Sequence, residues 1–136
     1  MRPSEKNTLS EIQGPALQDE NGIGPLTLPG FLRELAERYG NREALRWRNL
    51  ASVEMCWTYA ELYDECLGVA KALLAAGVGR GTRVGLLISN RPEWLFGMFG
   101  ASMAGAVTVA LNTFSTEQEL GYQLRHSDVE VLIMEA

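Results

Sequence analysis

Few residues of this 136-residue chain have both the type and the spacing that chemistry demands. The run Gly77-Val78-Gly79-Arg80-Gly81 has the composition of a nucleotide-binding loop. A dinucleotide fingerprint, however, follows a strand and opens a helix, so that backbone N–H groups and the helix dipole meet the pyrophosphate. These glycines follow a helical pattern and precede a strand, which makes them a helix stop and a tight turn. The single histidine, His126, falls in the last turn of a helix with no Ser or Cys partner near it in sequence, so no triad is indicated. Asp64 and Glu65 are adjacent on a helix and diverge, as residues of a solvated face do. Cys56 and Cys66 lack metal-ligand spacing and are expected to be a buried, reduced pair. Spacing therefore assigns no catalytic, cofactor-binding or metal-ligating residue.

One geometric rule does select positions. Ligands of open α/β sheets bind beyond the carboxyl ends of the strands. The segments expected there are Ser89-Asn90-Arg91 and Asn112-Thr113-Phe114. Together with the helix that follows the first, they give a candidate substrate-side surface: Asn90, Arg91, Trp94, Asn112 and Thr113. The competing reading is that short polar residues at these points only turn the chain. Trp94, Phe96, Met98, Phe99 and Met103 share a nearly all-apolar helix, for which core packing is the default. Gly97 and Gly100 would also let a ligand approach closely, so part of an apolar pocket wall is the second reading.

The elements that must position these residues follow from periodicity. Thr27 caps a helix expected over 29–39, with Phe31, Leu32, Leu35 and Ala36 as its apolar stripe. Leu45 and Trp47, then Val53, Met55 and Trp57, alternate with polar residues and predict a hairpin joined through 49–52. Thr58 and Glu61 form a capping box for a helix running to Ala76, with Leu62, Cys66, Val69 and Leu73 on one face. Apolar strands then open at Val84, Val107 and Val131, separated by helices over about 92–104 and 117–126. This rhythm predicts an α/β fold: a partial, doubly wound, mainly parallel sheet with flanking helices, preceded by a β-hairpin. Residues 1–26, polar and rich in Pro and Gly, are expected to be a flexible arm, and 27–136 the folded unit.

Composition narrows the partners. The net charge is −5 and there are only two lysines, Lys6 and Lys71, so nucleic acid is not an expected ligand. The uncharged run from Trp94 to Leu111 is interrupted by glycines and turns β-branched, so a helix and a strand explain it better than a membrane span. The N-terminus lacks an apolar signal core, and a cytoplasmic protein is expected. The last residues, Val131-Leu132-Ile133-Met134, read as a buried inner strand with nothing following to cover it. This predicts a truncated N-terminal part of a larger domain, and self-association through the exposed C-terminal strand.

The ordered series Trp57-Thr58-Tyr59-Ala60-Glu61-Leu62, Ala76-Gly77-Val78-Gly79-Arg80-Gly81-Thr82-Arg83-Val84, Asn90-Arg91-Pro92-Glu93-Trp94 and Gly105-Ala106-Val107 resembles the N-terminal region of AMP-forming acyl-CoA synthetases. Asn112-Thr113-Phe114-Ser115, Glu119-Leu120 and Val131-Leu132-Ile133 continue the likeness, which covers about 27–136. Relatives more often carry Asp-Arg where Thr82-Arg83 stands, a neutral change. The resemblance implies a parent ligase using ATP, Mg²⁺ and coenzyme A to activate a carboxylic acid as an acyl-adenylate and pass it to the thiol. The family's Ser/Thr/Gly-rich phosphate loop, acidic ribose contacts and C-terminal lysine are absent from these residues. The piece alone is therefore expected to be an inactive scaffold whose partner is the remainder of the parent chain. Two alternatives stay open: an adenylating domain of peptide-synthetase type, and a non-catalytic binding module using an open sheet edge.

Overall fold

The computed structural model describes residues 27–135, so the arm expected over 1–26 lies outside them. The first helix, α1, spans Leu28–Tyr39, and the Thr27 hydroxyl accepts from the Gly30 amide at 3.1 Å. The hairpin follows as β1 (Glu43–Arg48) and β2 (Glu54–Thr58), antiparallel with Leu45 opposite Trp57 and Trp47 opposite Met55. Helix α2 covers Tyr59–Ala75, and both halves of the Thr58–Glu61 capping box are formed. It stops at Gly77, whose φ of 85° lies in the left-handed region where a Cβ would be strained.

The remaining elements are β3 (Arg83–Leu87), α3 (Pro92–Met103), β4 (Val107–Ala110), α4 (Glu117–His126) and β5 (Val131–Met134). The three strands form a parallel sheet in the order β4-β3-β5. The chain thus steps from β3 to one side and then crosses to the other. Right-handed crossovers place α3 and α4 on opposite faces of such a sheet. The reversal around β3 makes a topological switch point at its carboxyl end, as in doubly wound folds.

Two apolar clusters hold the molecule together. One joins the sheet to its helices through Leu73, Val78, Val84, Leu86, Ala101 and Ala104. The other packs α1, α2 and α3 through Leu32, Leu62, Cys66, Phe96 and Phe99, and receives Leu45 and Trp57 from the hairpin. Trp57 meets Phe96 edge-on with ring centroids 5.6 Å apart.

The expectation for the cysteines needs correction. Cys56 is exposed while Cys66 is buried, so the cysteines are not a buried pair. Strand β2 turns Trp57 inward, and the alternation of a strand sends Cys56 to the opposite, solvated side. The expected inward face of α2 is borne out at Leu62, Cys66 and Leu73, with Val69 packed against both apolar clusters and Ala70 buried beside them. The sheet is also less enclosed than a fully buried one, because α4 contributes no buried residue.

Candidate functional site

Register brings the candidate residues together. Leu86 pairs with Ala110 and Leu87 with Met134, so the segments leaving β3, β4 and β5 emerge side by side. They border a cleft of about 1020 Å³. Its lining includes all five positions expected from sequence: Asn90, Arg91, Trp94, Asn112 and Thr113. The opposite side of the cleft is the end of the hairpin, from Trp47 to Ala51.

Arg91 is the electrostatic hub. It is the N-cap residue of α3, where it makes no side-chain capping bond. Its Nη2 lies 3.2 Å from Glu93 Oε1 and its Nη1 3.5 Å from Glu135 Oε2. The guanidinium carbon also stands 6.0 Å from the centre of the Trp47 ring. Ser89 Oγ donates to the same Glu135 oxygen at 2.8 Å, tying the end of β3 to the end of β5. Arg91 is therefore already opposed by two carboxylates, which leaves the cleft floor polar with its cation neutralised. Within the described residues, Arg91 Nε is buried with no hydrogen-bond partner.

The other candidates have plainer surroundings. Asn90 is exposed, and its backbone carbonyl accepts from the Trp47 indole at 3.3 Å. Trp94 is half-buried and packs against the sheet-side cluster. Asn112 Oδ1 accepts from the Phe114 amide at 3.0 Å, and its carbonyl accepts from Ser115 at 3.1 Å, so this residue shapes the turn after β4. Thr113 is exposed beside it. Sequence reasoning missed the hairpin side of the cleft and Glu135. The signal available for the hairpin was Trp47, a large aromatic near a strand end. None existed for Glu135, because its place depends on how β5 registers on β3.

Among the described residues no three His, Cys, Asp or Glu side chains converge as a metal site requires. No helix among them is long and apolar enough to cross a membrane.

Comparison with known proteins adds the following. The family model described as AMP-binding enzyme matches residues 32–136. Acyl-CoA ligase sidI of Aspergillus fumigatus is 34% identical over 134 residues, covering 97% of this chain and 21% of that protein. A crotonobetaine/carnitine–CoA ligase of Citrobacter koseri is 32% identical over 114 residues, covering 84% and 22%. Among solved structures, the N-terminal subdomain of Klebsiella oxytoca NpsA in complex with 3-hydroxybenzoyl-AMSN superposes with a TM-score of 0.74 at 27% identity, covering 81% of this chain and 27% of that one. The inhibitor-bound N-terminal domain of FACL13 from Mycobacterium tuberculosis gives 0.72 at 30% identity, covering 79% and 26%. The chain spans about a fifth of the length of the curated relatives it matches.

Proposed function

We propose, from the premise that this chain belongs to the AMP-binding enzyme family, that it supplies the N-terminal scaffold and one substrate-side wall of an AMP-forming acyl-CoA ligase. The observation that carries this reading is the family match over 32–136, made together with relatives named as acyl-CoA ligases. The cleft at the switch point supports this reading, because Asn90, Arg91, Trp94, Asn112 and Thr113, the residues proposed to face substrate, all border it.

The reaction has two steps. A carboxylate oxygen attacks the α-phosphate of ATP, forming an acyl-adenylate and releasing pyrophosphate. The thiol of coenzyme A then adds to the acyl carbon and expels AMP, leaving a thioester. Both steps load negative charge on phosphoryl or carbonyl oxygens, which needs preorganised donors or cations. Among the described residues no three His, Cys, Asp or Glu side chains come together as an all-protein metal site would need. Their part is to hold the sheet, present the cleft and keep Arg91 in place. A cytoplasmic setting belongs to the same reading.

The test is carboxylate-dependent exchange of pyrophosphate into ATP by the intact parent protein, followed by a choice of thiol acceptor. Exchange with transfer to coenzyme A is the expected result for the parent, and none for the 136 residues alone. Exchange by this chain alone would overturn the scaffold role. A second reading, an adenylating domain that loads a carrier protein, is favoured by the likeness to NpsA, which has been studied as an adenylation–PCP fusion. Transfer to a carrier-bound thiol but not to coenzyme A would select it.

A further inference from the structure

We propose that the β1–β2 hairpin is a movable lip of the cleft, hinged at its root and latched by Trp47, which closes by bringing Leu50 onto Phe114. The hairpin is built to move as one body. Its strands pair in regular register from Leu45–Trp57 to Arg48–Glu54, and the register is interrupted between Glu43 and Leu45, at the root. Its turn is fixed by Asn49, whose amide donates to the Val53 carbonyl at 3.0 Å and whose Oδ1 accepts from the Val53 amide at 2.9 Å. Its outer face carries a charge ladder in which Arg46 joins Glu43 to Glu54, and Arg48 Nη2 lies 2.6 Å from Glu54.

The root is anchored and the far end is not. Leu45 and Trp57 are packed into the helical cluster, and the Tyr59 amide donates to the Arg42 carbonyl at 3.0 Å. Further out, Trp47 spans the gap to the sheet through its weak indole bond to Asn90 and its contact with Arg91. Open space adjoins that tether. Trp47 borders both the main cleft and a cavity of about 240 Å³ that is also lined by the first turn of α3.

The free end carries an exposed apolar residue. Leu50 is 107% exposed, and Phe114, which borders the same cleft, is 93% exposed. Two large apolar side chains left in water at the border of one cleft lower their free energy by meeting. A rigid arm with one weak tether, room to swing, an apolar tip and an apolar stop on the same cleft has the parts of a closing lip. Closure requires no particular chemistry in the cleft, so it stands apart from the ligase reading.

The test uses the whole chain labelled with 5-fluorotryptophan, whose three resonances are assigned by Trp→Phe variants. Fluorine relaxation dispersion is expected to show exchange at Trp47 and none at Trp57, which is held against Phe96. In a Cys56→Ser background, Leu50→Cys combined with Phe114→Cys is expected to cross-link in a glutathione redox buffer. Adding Trp47→Phe, which removes the indole donor, should speed that cross-link several-fold. Flat dispersion at Trp47 overturns the proposal. So does failure of the two introduced thiols to join while each reacts freely with a small maleimide.

Discussion

Glu43 illustrates how much one exposed side chain can set around it. Its carboxylate accepts from Arg46 Nε at 2.8 Å. That hydrogen bond, with a second from the Cys56 thiol, pulls its pKa from 4.5 to about 2. The same contact acts in reverse on Cys56, whose thiol is held protonated by the neighbouring carboxylate and so titrates above the usual range. Cys66 is raised further, to about 12, because burial penalises its thiolate. Glu43→Gln therefore has two expected consequences. Alkylation of Cys56 by a soluble reagent at mildly alkaline pH becomes faster, since more thiolate is present, while Cys66 stays unreactive until the chain is unfolded. Acid sensitivity also changes. A carboxyl with a depressed folded pKa stabilises the fold above its unfolded value and loses that contribution as pH falls through the folded one. The contribution of Glu43 is thus complete above about pH 4.5 and fades toward about 2, so the substitution should flatten the urea midpoint against pH across that window. An unchanged alkylation rate and an unchanged acid limb would contradict this account.

Two helical glycines have opposite surroundings, and one of them sets how closely α2 and α3 pack. At Gly100 of α3, an added Cβ would lie 2.7 Å from Val69 Cγ1 and 3.0 Å from the Cys66 carbonyl oxygen on α2. The helices touch there because no side chain intervenes, and backbone cannot yield as a flexible side chain can. Gly100→Ala is expected to destabilise by about 1–3 kcal/mol, as overpacking does. At Gly68, exposed on α2, an added Cβ meets nothing within 4 Å. Gly68→Ala should stabilise by about 0.5–1 kcal/mol, through backbone entropy alone. Chemical denaturation of both variants checks the contrast, and equal effects would refute it. The elements themselves were largely readable in the sequence. Capping boxes at Thr58–Glu61 and Thr116–Glu119 mark the starts of α2 and α4, and both are formed. Strand ends were readable as well, which is why Asn90, Arg91, Asn112 and Thr113 border one cleft. The approach of Trp47 to Asn90 was not, because it joins residues 43 positions apart and has no local signature. The outward face of Cys56 was available from the strand period, but the general tendency of cysteine to be buried masked it.

At the scale of the sheet, the consequence of the order β4-β3-β5 is that, among the described residues, only β3 has a strand on each side. Strands β4 (Val107-Thr108-Val109-Ala110) and β5 (Val131-Leu132-Ile133-Met134) carry no charge and no proline. Natural proteins blunt open edges with lysine, proline or bulges to prevent further pairing. Neither strand has such a guard, and Val107, Leu132 and Met134 are 50%, 38% and 60% exposed. Val131 and Ile133 pack toward the core while Leu132 and Met134 point away from it. Met134 is the more open of the two; Leu132 also covers the buried Gly85, so retention of the fold in a variant there is checked by far-UV circular dichroism. This chain is expected to self-associate with rising concentration in sedimentation velocity, and Leu132→Lys combined with Met134→Lys should weaken that association by placing like charges along the β5 edge. Monomeric sedimentation of the unaltered chain over a wide concentration range would show that β5 does not act as an adhesive edge. Association that persists undiminished in the double lysine variant would move the contact elsewhere, with β4 and its exposed Val107 the next surface to charge.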